Sequence, residues 1–390
     1  MACNGRHGTA IGWLTETARS KHPLITIAPE NALMPEIKNV SRRSVIKGAG
    51  VAAAALSVPG LWGASSALAA GQTLTVADVG GAVAPAIRAA FYDPFEKETG
   101  IKVIGVAHES DPVTQFKLLV DAKSYIWDVC MVTPDHVARL TQEKNYLAEL
   151  NLPQASAKDI LPGMATNNWL GFSVFGIVMA YNKEKFAGNA PTRWADYWDT
   201  KKFPGRRGLY KSGWGVLEMA LLADGVAAKD LYPLDVDRAF KKLDEIRGDV
   251  DVWWTAGAQN TQTLQNGEVD ISDTWSARGY AAIAAGAPLE IVWQGLYSVD
   301  GWSIPLGTPK LDLARQFVEF CTRPEHQAAY SSLVANGPSN TKAFDFISAE
   351  RARVLPSSPE NLKGLSEMDS VWWGKHYDAV TERFQEWMLG

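Results

Sequence analysis

Apolar and polar positions change period repeatedly from residue 73 onward, and the first hundred of these residues read as alternating strand and helix. Thr73 to Asp78 is a short apolar strand that ends in Val79-Gly80-Gly81. Ile87, Ala90, Phe91 and Phe95 then recur at helical spacing, with Gly100 placed to stop the helix. Ile101 to Ala107 predicts a second strand, and Val113, Phe116, Leu119 and Val120 a second helix. Trp127 to Val132 is nearly continuous in apolar residues, as a strand buried on both faces requires. Thr133-Pro134-Asp135 opens a further helix, with proline tolerated in its first turn. This βαβαβ order predicts a parallel, doubly wound sheet. Ligands of such sheets bind beyond the carboxyl ends of the strands. Here those ends are Asp78 to Gly81, His108 to Asp111 and Thr133 to Asp135.

A second α/β rhythm begins near Gly171. Phe172 to Tyr181 is strand-like and leads to an aromatic helix over Thr192 to Trp198. Asp235 is placed to cap a helix whose Val236, Ala239, Phe240, Leu243 and Ile246 share one face. Strands are expected at Val250 to Trp254, Val269 to Trp275 and Leu289 to Trp293, and Gly301 to Pro305 is extended. Helices follow over Lys310 to Cys321 and Glu325 to Ala335. No repeat or low-complexity stretch interrupts residues 71 to 390, so two α/β lobes without a flexible linker are expected.

What precedes this pattern changes the setting. Ser41-Arg42-Arg43-Ser44-Val45-Ile46-Lys47 reads as a twin-arginine export signal, followed by an uncharged Ala/Gly-rich run from Gly48 to Ala64. Ala67-Leu68-Ala69 has the small-x-small form of a cleavage site, so residues 1–69 are set apart as a leader and the mature protein is expected in the periplasm. Residues 1 to 33 fit no part of a signal, and Met34 would open one of ordinary length. The leader takes seven of 38 Lys/Arg and three of 43 Asp/Glu with it, leaving a net charge of −9. That balance argues against nucleic acid and anionic membranes as partners. Cys130 and Cys321 sit apart in apolar surroundings and read as buried free thiols.

Asp93-Pro94-Phe95-Glu96-Lys97-Glu98-Thr99-Gly100-Ile101, Ala180-Tyr181-Asn182-Lys183 and Arg193-Trp194-Ala195-Asp196-Tyr197-Trp198-Asp199 occur in that order. Asn266-Gly267-Glu268-Val269-Asp270, Gly301-Trp302-Ser303-Ile304-Pro305 and Arg323-Pro324-Glu325-His326-Gln327-Ala328 complete the set. Together they resemble the spermidine/putrescine-type extracellular solute-binding proteins of ABC importers. The resemblance implies an α/β fold, the two-lobed periplasmic-binding-protein clamp, each lobe a sheet flanked by helices and the ligand in the interlobe cleft. It implies chain crossings near Ser173 and Asp300, with residues 70–173 and 301–345 in lobe one and 174–300 and 346–390 in lobe two. The partners it implies are a small amine ligand and a membrane permease with its ATPase; a monomer without cofactor is expected.

By the same resemblance Asp300 receives an ammonium group, Trp275 packs on the ligand, and Thr133 supplies a hydroxyl. Gly80 and Gly81 would let backbone approach the ligand closely. A polyamine needs carboxylates for its charged ends and aromatic faces for its methylenes, and thirteen of the 15 Trp lie after the leader. Two departures bear on the ligand. A family aromatic two residues before the aspartate is Ser298, with Tyr297 as its substitute. The family glutamate for a second amine falls within Lys211-Ser212-Gly213-Trp214-Gly215, which holds a cation instead. A ligand with one amine and one carboxylate would suit Lys211 better, with Arg278 as a second carboxylate partner. Polyamine is the first expectation, and an amino-acid-like or opine ligand the alternative. A distant enzyme reading takes Ser339-Asn340-Thr341-Lys342, Ser272-Asp273-Thr274 and Lys211-Ser212-Gly213 as boxes of a penicillin-recognising serine hydrolase. Their order is reversed from that family. The histidines at 108, 136, 326 and 376 are isolated and offer no metal-binding spacing.

Overall fold

The computed structural model describes residues 71–109 and 111–390; the expected leader over 1–69 and Ser110 of the second strand end lie outside the described residues. The strands are β1 (Thr73–Asp78), β2 (Lys102–Ala107), β3 (Val129–Val132), β4 (Leu170–Asn182) and β5 (Arg207–Tyr210). They continue with β6 (Val250–Trp254), β7 (Ile271–Trp275), β8 (Leu289–Ser303), β9 (Gly337–Pro338) and β10 (Leu365–Glu367). They join in the order β2-β1-β3-β8-β4-β7-β5-β6, with β10 on β8 and β9 on β4. β1 is parallel to β2 and β3, as the βαβαβ pattern predicts. The sheet then turns mixed, because β8 returns antiparallel to β3 and β4 antiparallel to β8. On the far side β5, β6 and β7 are again parallel.

β4 and β8 are the longest strands of the sheet. With 13 and 15 residues, they span about 43 and 50 Å at a strand's rise per residue, long enough to run through two lobes. The sequence pattern gives two separate pieces, Leu289 to Trp293 and Gly301 to Pro305, where the structure has one continuous β8. Leu296 to Asp300 stay paired to β4, and an irregularity between Ile177 and Met179 takes up Trp293 to Gly295. Two cores lie at the two ends of this ribbon. Leu74, Phe91, Phe116, Met131, Phe172, Trp302 and Phe317 belong to the first, and Met179, Trp194, Leu217, Phe240, Ile271 and Trp373 to the second. The change-over falls between Val174 and Ile177 on β4, and between Leu296 and Val299 on β8. Ile347 and Leu355 pack with Ala328 and Ala343 in a small cluster of their own.

Three elements are illegible in the pattern. The Val216–Ala223 helix is buried on every side, so no amphipathic stripe betrays it. β5 begins with Arg207, a charge that reads as surface. Its guanidinium is instead buried and donates to the carbonyls of Tyr197, Gly205 and Phe203. The Ser370–Leu389 helix packs Trp372, Trp373, Val380 and Phe384 into the second core. At Gly374 an added Cβ would lie 2.6 Å from that of Ala138, so this helix approaches the Pro134–Thr141 helix of the first lobe closely. Cys130 and Cys321 are free and buried, in keeping with their apolar settings.

Candidate ligand site

Ser173 and Asp300, named from sequence as the crossings, are paired directly across β4 and β8. Register is unbroken from Leu296 to Asp300, so Leu296, Ser298 and Asp300 share one face with Ile177, Phe175 and Ser173. Trp275 pairs with Ile177 on the other flank of β4 and joins that face, about 13 Å along the strand from Ser173. A short polar chain ends at Asp300: Asn336 Nδ2 donates to Ser173 Oγ at 3.0 Å, and Ser173 Oγ donates to Asp300 Oδ2 at 3.3 Å. The buried Tyr330 hydroxyl lies beside Ser173 and Asn336 without a hydrogen bond of ordinary geometry to either. Asp300 keeps some surface open, yet burial of its carboxyl group raises its pKa to about 7 against the pull of Ser173 and Arg278. An ammonium ion brought to such a carboxylate would hold it ionised.

The carboxyl ends of the parallel strands β5, β6 and β7 form the opposing wall. Tyr210 and Trp275 are half-buried there, with ring centroids 5.7 Å apart, and the buried Trp254 lies behind both. Phe175 and Trp214 extend this aromatic surface, 6.4 Å apart. Arg278, in the first turn of the Ser276–Ala284 helix, is half-buried. A Cβ on Gly257 would come within 2.6 Å of its Nε and 3.0 Å of the Trp275 ring, so a glycine there lets the two side chains share one space. Burial pushes the Arg278 pKa down, while Tyr330 and Asp300 push it up. Among the described residues no carboxylate forms an ion pair with it.

On the lobe-one side, Gly80 and Gly81 follow β1 with φ of 63° and 59°, a conformation that favours glycine. Asp78 holds this turn, accepting from the Gly80 amide and the Tyr92 hydroxyl, both at 2.7 Å. Thr133 caps the helix that starts at Pro134, and its hydroxyl donates to Asp135 at 2.8 Å. Its proton is thereby committed, and with the His136 backbone N–H on one lone pair only the other is left for a ligand. Lys211 follows β5 at the same strand ends; it is exposed, and among the described residues no acid pairs with it.

One expectation needs correction, and one distant alternative loses its residue. Tyr297 cannot replace an aromatic at 298, because strand alternation carries it to the opposite face from Asp300, where its hydroxyl donates to Glu367. Ser339 is no nucleophile in waiting: it is fully buried and its hydroxyl donates to the Gly171 carbonyl at 2.6 Å. A cavity of about 490 Å³, lined by Val137, Trp169, Val299, Val371 and Gly374 among others, lies on that opposite face and includes none of Asp300, Trp275 or Arg278. Among the described residues no group of three or more His, Cys, Asp or Glu is placed to hold a metal ion, and no helix is long and apolar enough to cross a membrane. Sequence reading missed Ser173, Asn336 and Tyr330 as a group, since they come together only through the pairing of β4 with β8 and β9.

Residues 90–354 match the model of the bacterial extracellular solute-binding proteins, and residues 39–59 that of the twin-arginine translocation signal sequence. The chain is 36% identical over 338 residues to the gamma-aminobutyric acid-binding protein of Pseudomonas aeruginosa, covering 85% of this chain and 95% of that one. It is 24% identical to the spermidine/putrescine-binding periplasmic protein of Escherichia coli, over 76% of this chain and 85% of that one. A solved GABA receptor superposes with a TM-score of 0.74 at 32% identity, covering 81% and 98% of the two chains. A binding protein of A. tumefaciens R10 in complex with agropinic acid gives 0.72 at 30%, covering 82% and 99%.

Proposed function

The chain belongs to the bacterial extracellular solute-binding proteins, is exported to the periplasm and serves an ABC importer, and from that premise we propose that its solute carries an ammonium group and a carboxylate in one small molecule. Arg278 is the observation that carries this reading. A half-buried guanidinium with no ion pair among the described residues has given up hydration and gained little in return, and a bidentate carboxylate is the group that restores the balance. Asp300 supplies the complementary acid for the ammonium end, and Trp275 with Tyr210 the surface for the methylenes between them. A diamine would bring a second cation toward Arg278 and the exposed Lys211. The amino-acid-like or opine alternative is therefore favoured over the polyamine expectation, and the relatives support the same order. Lobe one in this reading comprises the first core with residues to about 355, and lobe two the second core. The ligand is held between the paired crossings and the ends of β5 and β7.

Calorimetry of the mature protein against 4-aminobutyrate, an opine and putrescine tests this. We expect binding of 4-aminobutyrate or the opine, and putrescine at least a hundredfold weaker. Arg278→Met should abolish carboxylate-ligand binding and leave putrescine no weaker. Tighter binding of putrescine by the wild type would overturn the reading.

A further inference from the structure

Ser272-Asp273-Thr274, which has no place as a serine-hydrolase box, has another use in the structure. Asp273 sits on β7 with 1% of its surface exposed. One carboxylate oxygen accepts the Trp254 indole N–H at 2.6 Å, and the other the Tyr210 amide at 3.2 Å. Trp254 is itself buried and reaches no solvent. It stacks on Tyr210 with centroids 4.4 Å apart and meets the Trp275 ring edge-on at 5.4 Å. The carboxylate therefore stands two layers behind the aromatic surface of the cleft. Its own position is fixed in turn, since Asn260 Nδ2 and Ser272 Oγ donate to its backbone carbonyl at 3.1 and 2.7 Å. Among the described residues no cation pairs with it; the ionisable groups that feel its charge are Tyr197 and Tyr210, both pushed up by burial first and by this charge second.

Nothing in packing alone calls for an acid at this point. An apolar side chain of similar volume would spare the desolvation of a buried carboxylate, though it would leave the Trp254 and Tyr210 N–H groups without an acceptor. What the acid adds is direction. A charge-assisted hydrogen bond fixes the rotation of an indole ring that apolar contacts leave free to slide. We propose that Asp273 is a positioning residue for the ligand: it pins Trp254, and Trp254 sets the ring planes of Trp275 and Tyr210, the surface that receives the solute. The inference rests on the proposed reading only for which ligand meets that surface. Burial raises the Asp273 pKa to about 7 despite its donors, so the pin weakens as the group takes up a proton near neutral pH.

The test compares wild type, Asp273→Asn and Trp254→Phe by indole ¹H–¹⁵N spectroscopy and by calorimetry with 4-aminobutyrate. Asn keeps the shape but sets an NH₂ against one of the two N–H donors; Phe keeps a ring without the N–H. In the unliganded wild type the Trp254 N–H resonance should lie far downfield and move with pH about a midpoint near 7. In Asp273→Asn it should move upfield and lose that pH dependence, and the Trp275 resonance should shift with it. Each variant should bind 4-aminobutyrate at least tenfold more weakly, and the double variant no more weakly than the worse single one. A Trp275 resonance unmoved in both variants would overturn the proposal, as would affinities within twofold of wild type. If the wild type binds no 4-aminobutyrate, the proposed ligand class falls, and the spectra of the unliganded proteins still decide the positioning role.

Discussion

Asp300 concentrates the chemistry of the cleft in one side chain. Burial raises its pKa to about 7, so in the empty protein a large share is protonated near neutral pH. An ammonium ligand selects the ionised form, and binding should release a proton. Affinity for 4-aminobutyrate should rise as pH rises from 6 to 8, about fivefold up to pH 7 and about twofold above it. Calorimetry in buffers of different ionisation enthalpy reads the proton directly, and Asp300→Asn should abolish both the release and most of the affinity. The same residue has a linked effect on stability. Its folded pKa lies above the unfolded value near 4, so its contribution is fully present below that value and is lost as pH rises through about 7. Glu218 and Asp273 are raised to about 7 by the same burial, and add with the same sign. Melting of the unliganded protein should thus weaken between pH 5 and 8, and Asp273→Asn should flatten that slope.

The crossing strands show the same dependence at the level of an element. β4 and β8 run side by side so closely that Gly301 faces the Trp169 indole and the Leu170 carbonyl, and Gly295 faces the Ile177 carbonyl. A methyl group at either point meets backbone, which cannot rotate away. Gly301→Ala should lower stability by roughly 1–3 kcal/mol, the usual cost of overpacking, measured by urea unfolding. It should also disturb Asp300 next to it, so ligand affinity falls with stability. Gly171, which faces the far end of the Trp169 ring and a Val299 methyl, meets side chains rather than backbone, and Gly171→Ala should cost less.

Closing of the two lobes, expected of a binding-protein clamp, would be a motion at the scale of the lobes. Arg139 of the first lobe donates to Asp111 at 2.7 Å and to Asp378 at 3.3 Å, and lies over the Tyr377 ring. Tyr377 and Asp378 belong to the Ser370–Leu389 helix, whose apolar face is part of the second core. One side chain thus ties the lobes together. Asp378 is largely exposed, and pairs of that kind contribute little, about 0–1 kcal/mol. Arg139→Met should therefore weaken 4-aminobutyrate binding by a factor of a few rather than abolish it, and should enlarge the unliganded protein in solution scattering. The wild type should contract on ligand addition; an unchanged profile, starting from an open state, would count against a closing clamp.

Much of this protein is written in its local sequence. Runs such as Thr73 to Asp78 and Val250 to Trp254 place strands to the residue, because period and burial agree there. Gly100 takes the left-handed cap expected of it, and Asp235 accepts from Arg238 as a cap should. The export signal and the family are likewise local patterns. Pairing and burial are not local. Whether Leu289 to Ser303 is one strand or two depends on β4 beside it. Whether Tyr297 or Ser298 looks toward Asp300 depends on register, where a shift of one residue reverses every side chain. The half-buried Arg278, the buried Asp273 behind Trp254 and the shared site of Ser173, Asn336 and Tyr330 join residues up to 163 positions apart. A carboxylate's ordinary charge can be read from its letter; the pKa near 7 at Asp300 exists only once folding has taken the water away.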